Sequence, residues 1–287
     1  MKIKKVALIG KYGLIQNTEL ITGIRDYLLK KKKDVYCDEN IAPILKEKAL
    51  TKAQLLKKVD LAIVFGGDGT LLKTARALSK KVVICYGINV GNLGFLTESQ
   101  PEKAIAGLKR ILSGNFVADK RFLLRVTVYR KGKKIRTDLA LNDAVINQGS
   151  KARLIQLKIE SNQRLVNKFK ADGLIIATPT GSTGHSLSAG GPIVHPKIDA
   201  FVLTPICPLS LSNRPIIMPN DRQLKITVET IREYHERVAL TLDGQTSFCL
   251  EYEDEVKIRK SSRYFYLARM TGENYYKALR AKLGWGE

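Results

Sequence analysis

Short apolar runs alternate with amphipathic stretches over the first third of the chain. Residues 6–9, 61–65 and 82–86 are compact runs rich in Val, Ile, Leu and Phe, and the stretches 18–29, 71–78 and 101–112 carry apolar positions at helical spacing. Strands alternating with helices predict βαβ units and a parallel sheet. From about residue 116 the texture changes. Residues 123–129, 139–146, 154–159, 174–177, 224–228 and 238–242 are short β-favouring runs separated by polar turns, which predicts a second, β-rich domain. A helical pattern returns over 271–283, with Tyr275, Leu279 and Lys282 at helical spacing and Gly284 as a stop. Tyr275, Tyr276, Leu279, Leu283 and Trp285 predict a face and an anchor that dock on the first domain.

Composition narrows this picture. With 287 residues, 44% of them hydrophobic, and a mean hydropathy of −0.12, the chain is long enough for two modest cores. Cys37, Cys85, Cys207 and Cys249 lack the paired spacing of a zinc or redox site and are expected as buried apolar fillers. The formal charge of +22 predicts attraction to polyanions. The lysines are spread over 30–33, 57–58, 80–81 and 131–134 with no nucleic-acid-binding signature beside them, so a solvated basic surface is favoured over a specific nucleic-acid partner. No apolar run suits a signal peptide or a membrane span, and the expected address is the cytoplasm, without a membrane partner.

The sharpest local feature is Gly66-Gly67-Asp68-Gly69-Thr70, set between an apolar strand and a helix expected to begin near Thr70. Glycines there let backbone amides approach an anion, and the helix N-terminus adds partial positive charge, so phosphate is the natural guest. Two occupations for Asp68 stay open on these grounds. It caps the helix or an Asx turn, or it serves phosphate chemistry, taking a proton from an attacking hydroxyl or helping to hold a divalent cation. A second glycine-rich stretch, 87–97, offers amides that could wrap a nucleotide; its bland alternative is an irregular loop.

In the β-rich part, Asn142-Asp143 lie between apolar runs, and Asp172-Gly173 precedes a strand and the stretch 178–192. The hydroxyls and amides of that stretch, around Thr183, Gly184, His185, Ser186 and Ser188, suit the ribose and amide groups of a dinucleotide. A serine-esterase reading of Gly184-His185-Ser186-Leu187-Ser188 fails, because Pro179 and the residues after it separate the serine from its strand. His195 and His235 have no neighbours at metal-ligand spacing, and no metal cage is encoded.

Five pieces, 66–70, 87–97, 141–143, 172–192 and 243–245, together with the end of the chain from Asn274, resemble the NAD kinase family in the family's order. The resemblance implies a kinase that moves a phosphoryl group from ATP or another donor to the adenosine ribose 2′-hydroxyl of NAD, with a divalent cation, Mg2+, and a homo-oligomeric assembly, dimer or tetramer. It implies an architecture of α/β plus β: an N-terminal α/β nucleotide-binding domain with a parallel sheet (1–115), a β-rich NAD-binding domain (116–255), and a C-terminal segment whose helix packs back on the first domain (256–287). On the matching positions Asp68 is the base, with Gly69 beside it at the nucleotide. Asn142 and Asp143 hold ribose or adenine groups. Asp172, Thr183, Ser186 and Ser188 line the NAD site with Gly184 and His185, and Gln245 closes it. Lys73, Arg153 and Lys170 stand where the family has basic substrate contacts.

Three positions depart from the pattern: His185 for Tyr, Gly184 for Ala, and Leu209 for His. The first bears on base stacking in the NAD site and leaves Asp68 untouched. Two other classes share parts of the pattern. The Gly-Gly-Asp-Gly-Thr turn also occurs in lipid kinases of the diacylglycerol and sphingosine type, and the charge alone would suit a non-catalytic polyanion binder.

Overall fold

Strands of four to six residues, several of them buried on both faces, build the first half of the fold in this computed structural model, which describes residues 3–91, 94–97, 99–149, 154–229, 238–270 and 275–286. The chain divides into two units, residues 1–120 with 263–287, and residues 121–262.

In the first unit, β1 (Lys5–Gly10), β2 (Asp34–Cys37), β3 (Leu61–Phe65) and β4 (Ile84–Ile88) form a parallel sheet in the order β2-β1-β3-β4. Every residue of β3 and β4 is buried, as expected of parallel strands covered on both faces. The helices α1 (Thr18–Lys30), α2 (Ala42–Leu45), α3 (Lys52–Lys58), α4 (Asp68–Arg76) and α5 (Ala104–Leu112) connect or flank them. Ile21, Ile24 and Leu28 of α1 and Leu108 and Ile111 of α5 pack into one core with Leu8, Ile63, Phe65 and Tyr86. The strand expected over 82–86 lies two residues further on, because Leu61↔Ile84 through Phe65↔Ile88 set its register against β3, and Val82 remains about half exposed. Strand β2 and helix α3 escaped the sequence reading. Thr51 and Gln54 nonetheless start α3 with a capping box whose side chains answer each other's backbone N–H.

The second unit is antiparallel. Its strands are β5 (Val117–Arg130), β6 (Lys133–Ala140), β7 (Asp143–Asn147), β8 (Ile155–Ser161), β9 (Arg164–Ala171), β10 (Gly173–Ala177), β11 (Ala200–Ile206), β12 (Ile216–Pro219), β13 (Leu224–Val228), β14 (Val238–Leu242), β15 (Thr246–Leu250) and β16 (Glu255–Arg269), of which β5 enters from the first unit and β16 leaves into it. One sheet runs β12-β11-β10-β7-β14-β15. Its central strands β7 and β10 are apolar and buried over Ala144 to Ile146 and Leu174 to Ala177. Strands β16, β13, β8 and β9 pair in that order, and β5 pairs with β6. The apolar run 139–146, read as one strand, breaks at Leu141-Asn142: Leu139 and Ala140 pair with β5, whereas Asp143 onward pairs with β10, and from Ala144 also with β14.

The last part of β16 lies in the first unit, where Tyr266 and Leu267 pair in parallel with Ile84 and Cys85. One short helix, α6 (His185–Ser188), precedes the C-terminal helix α7 (Tyr275–Leu283), which ends at Gly284 with φ of 59°. Of the five residues expected to form its docking face, only Leu279 is buried; Tyr276, Leu283 and Trp285 are exposed, and Tyr276 stacks on Trp285 instead. All four cysteines are free thiols, but Cys207 and Cys249 are exposed rather than buried, Cys207 in the turn after β11 and Cys249 on the outward face of the edge strand β15.

Candidate active site

At the carboxyl end of β3 the chain turns through Gly66 and Gly67 into α4, and Asp68 is the first helical residue, two positions earlier than Thr70. Gly67 is the N-cap residue and no side chain caps the helix, so the capping role that the sequence left open for Asp68 is not the one it has. Its carboxylate reaches instead to the loop after β4. Oδ2 accepts from Phe95 N at 2.6 Å, and Oδ1 accepts from Leu96 N at 3.0 Å and Thr97 N at 3.3 Å. Gly94 makes this approach possible, since a Cβ there would collide with the Asp68 carboxylate. Gly69 is exposed on the first turn of α4, and Lys73 is exposed further along the same helix.

Two basic residues that the sequence reading did not place here meet the same loop. Arg269, at the end of β16, donates from Nη2 to the Phe95 carbonyl at 3.1 Å and from Nε to Asp119 at 3.4 Å. Lys282 of α7 holds its ammonium 4.0 Å from the centroid of the Phe95 ring. Burial pushes Lys282 down to about 8, with Asp68 drawing it up and Arg269 pushing it further down. On the other side of the loop, Lys11 at the end of β1 donates to the Val90 carbonyl at 3.1 Å.

The second cluster lies in the second unit, at one end of the sheet containing β7 and β10. Asp243, with φ of 51° in the tight turn between β14 and β15, directs its carboxylate to three successive amides: Leu141 N at 3.1 Å, Asn142 N at 2.8 Å and Asp143 N at 3.2 Å. Thr178 closes the arrangement from the other side, its hydroxyl donating to the Leu141 carbonyl at 2.6 Å and accepting from Gly181 N at 3.1 Å. Gly181 lies against the Asn142 backbone, where a Cβ would not fit. The Asn142 side-chain carbonyl is thereby buried with no hydrogen-bond partner among the described residues, an acceptor left over for a ligand donor. Burial, and then the neighbouring Asp243 charge, push Asp143 up to about 7.

The remaining expected residues divide. Thr183, Gly184 and His185 follow Gly181 in the same loop, with His185 and Ser188 exposed, and Gln245 completes the Asp243 turn by donating its N–H to the Leu242 carbonyl at 3.0 Å. Ser186 turns inward, fully buried, its hydroxyl paired with that of Thr204 at 2.9 Å. Lys170 and Asp172 are not brought to this cluster. Asp143 pairs with Ala177 while Asn147 pairs with Gly173, so Asp172 stands at the opposite end of the strands, five residues or roughly 17 Å away. Lys170 is exposed there, lining a shallow groove of about 400 Å³ with Phe169, Leu209 and Asn213. Arg153 lies outside the described residues.

A parallel α/β unit with a carboxylate in a glycine turn, in one chain with an antiparallel unit whose Asn142 carbonyl is unpaired among the described residues, is the arrangement suited to a protein that handles nucleotides. The profile described as ATP-NAD kinase N-terminal domain matches residues 16–116, and that described as ATP-NAD kinase C-terminal domain matches residues 141–270. The chain is 39% identical to an NAD kinase of Geotalea daltonii over 99% of its own length and 100% of that protein's, and 39% identical to an NAD kinase of Pseudomonas putida over 99% and 97%. Among solved structures it is similar to yeast NADH kinase complexed with NADH (TM-score 0.92, 24% identity, covering 100% of this chain and 89% of that one). It is also similar to an Archaeoglobus fulgidus NAD kinase in complex with ATP (TM-score 0.73, 25% identity, 98% of each). The chain belongs to the ATP-NAD kinase family. It is a kinase that acts on NAD.

Proposed function

We propose that this enzyme transfers the terminal phosphoryl group of ATP to the 2′-hydroxyl of the adenosine ribose of NAD, giving NADP, with Asp68 accepting the hydroxyl proton. The observation that carries this reading is the position of Asp68: a partly exposed carboxylate at the first residue of α4, in a glycine turn at the end of a buried parallel strand. A helix N-terminus and glycine amides favour the donor's phosphates, and phosphoryl transfer asks the protein mainly for positioning, charge neutralisation and a base. ATP as the donor is further supported by the similarity to the Archaeoglobus fulgidus NAD kinase solved with ATP. Asn142, Asp143, Thr183, Gly184, His185 and Gln245 are proposed to hold NAD, supported by the orphaned Asn142 carbonyl and by the turn that Asp243 organises. Gly69 and Lys73 are proposed at the nucleotide; Lys170, Asp172 and Ser188 are retained as NAD contacts on the family pattern alone.

The reading includes Mg2+. Among the described residues no three His, Cys, Asp or Glu side chains converge, which suits a cation that arrives with the nucleotide, held by phosphate oxygens and water, and neutralises charge there. It also includes a homo-oligomer, supported by the exposed apolar residues Leu209, Leu211, Ile216 and Ile217, and a cytoplasmic address. No described helix is long and apolar enough to cross a membrane.

The deciding experiment offers radiolabelled ATP with NAD, NADH or diacylglycerol to the purified enzyme. Label in NADP is expected. Label in phosphatidic acid alone would overturn the assignment of the acceptor. Light scattering of the same sample reads the oligomer, which a monomer at working concentration would contradict.

A further inference from the structure

Phe95 is held on three sides by charged groups. Its N–H donates to Asp68, its carbonyl accepts from Arg269, and its ring lies beneath the Lys282 ammonium. The Lys282 Nζ is buried and makes no hydrogen bond among the described residues, although an ammonium carries three donors. An aromatic face answers the charge of a cation but leaves those donors unmet, and a buried cation without acceptors is unfavourable. The carboxylate nearest in influence is Asp68, at the mouth of the helix where phosphate is expected. Lys282 therefore has charge, donors and place for an anion, and no described residue accepts a hydrogen bond from it.

We propose that Lys282 is a substrate-positioning residue whose ammonium hydrogen-bonds a phosphate oxygen at the Asp68 turn, that of the terminal phosphate of the nucleoside triphosphate. The inference rests on the reading that this turn receives the donor. The C-terminal helix thus contributes to the nucleotide site, and its shallow anchoring, with Leu279 as its buried residue, lets the lysine adjust when the phosphate arrives. The charged groups around Lys282 are Asp68 of α4 and Arg269 of β16, with Asp119 behind Arg269. Deprotonation of Lys282, which burial brings down to about 8, removes the positive charge and with it the phosphate contact.

The test uses the full-length enzyme with Lys282→Met, Lys282→Arg and Asp68→Asn, measuring KM for ATP and for NAD, kcat, ATP binding by calorimetry, and melting temperature. Lys282→Met is expected to raise KM and Kd for ATP about tenfold with KM for NAD within about twofold, and Lys282→Arg to restore most of the loss. Wild-type kcat/KM for ATP should fall as pH rises through about 8, while Lys282→Arg stays flat to about pH 9.5. Should Lys282→Met melt early, the arginine variant and its pH profile decide. Unchanged ATP affinity in a folded Lys282→Met protein, or a pH profile that Arg does not flatten, overturns the proposal. A rise in KM for NAD alone overturns the donor assignment and moves the contact to the dinucleotide's pyrophosphate. If Asp68→Asn remains active, the underlying reading of the turn fails; if it is inactive while Lys282→Met is unaltered, the lysine assignment alone fails.

Discussion

Asp68 in the first unit and Asp243 in the second use the same device: each carboxylate gathers three backbone amides from a loop distant in sequence. Their surroundings differ. Asp243 is buried, its amides come from the entry of a central strand, and it sets a second carboxylate, Asp143, into an apolar place that raises it to about 7. Asp68 is partly exposed, and the loop it gathers is held from behind by Arg269 and overlaid by Lys282. Identical hydrogen bonding therefore serves two ends. Where the carboxylate is buried it fixes a fold; where it is partly exposed, under the proposed function, those bonds are ones that a substrate exchanges for its own.

The comparison breaks most visibly at Asp68. Asp68→Asn should lower kcat by about 10²–10⁴-fold while KM for NAD moves only a few-fold, because the amide keeps the shape and cannot take the proton. Near-normal kcat places the base elsewhere, and a melting temperature lowered as far as by an Asp243 substitution would erase the difference between the two carboxylates. Asp243→Ala should do the reverse. It strands buried amides of Leu141, Asn142 and Asp143, at a cost of about 1–3 kcal/mol or more, and loosens the turn proposed to hold NAD. Denaturant unfolding together with KM for NAD checks this, and an unshifted unfolding midpoint would contradict it.

A finer test uses pH. The Asp143 carboxyl ionises near its ordinary value of 3.8 when unfolded but at about 7 when folded, so between these values the native state keeps a proton that the unfolded chain has lost. Stability from this group is whole below about pH 4, declines as pH rises toward 7 and stays low above it. Asp143→Asn removes the decline: it should raise the melting temperature by several degrees at about pH 8 and change it little at about pH 4.5. Equal shifts at both values would mean that Asp143 is not held as described. The smallest effect is expected at His185, exposed in the loop after Gly181. His185→Tyr should tighten NAD about two- to three-fold by adding stacking area, read by calorimetry, and unchanged affinity would remove this side chain from the site.

The two regions were also unequally legible. Glycines around a carboxylate between a buried strand and a helix are a local pattern, so Gly66 to Thr70 pointed to phosphate chemistry before any coordinates. The loop that Asp68 gathers was visible as glycine-rich sequence, but nothing in it announced that Phe95, Leu96 and Thr97 would turn their amides to that carboxylate. Asp243 was read only as part of a motif, because its work depends on partners about a hundred residues earlier. The same non-local bonds help explain the misread run 139–146: the polar pair Asn142-Asp143 was too short to mark a break by itself, and the bonds of Asp243 and Thr178 to the backbone at Leu141 hold the chain where it divides into two strands. The edge strand β15 alternates between partly exposed and exposed positions before the buried Leu250, and β12, although apolar over Ile216 to Met218, is four residues long and largely exposed, so neither resembled the buried runs that gave away β3 and β10. Lys282 was read only as part of the helical spacing of the last helix, being one basic residue among many.

Strand β16 has a consequence for the order in which the protein comes into being. The first unit needs residues 263–287 as well as 1–120, and β4 receives its neighbour only when Tyr266 and Leu267 have been made. Residues 121–262 are made in full before Tyr266 and Leu267, so the middle of the chain can begin folding while the beginning waits with one side of its sheet open. Asp68, proposed as the base, thus sits in the part completed last. A chain cut short before Arg269 holds the Asp68 turn without Arg269 and Lys282 beside Phe95.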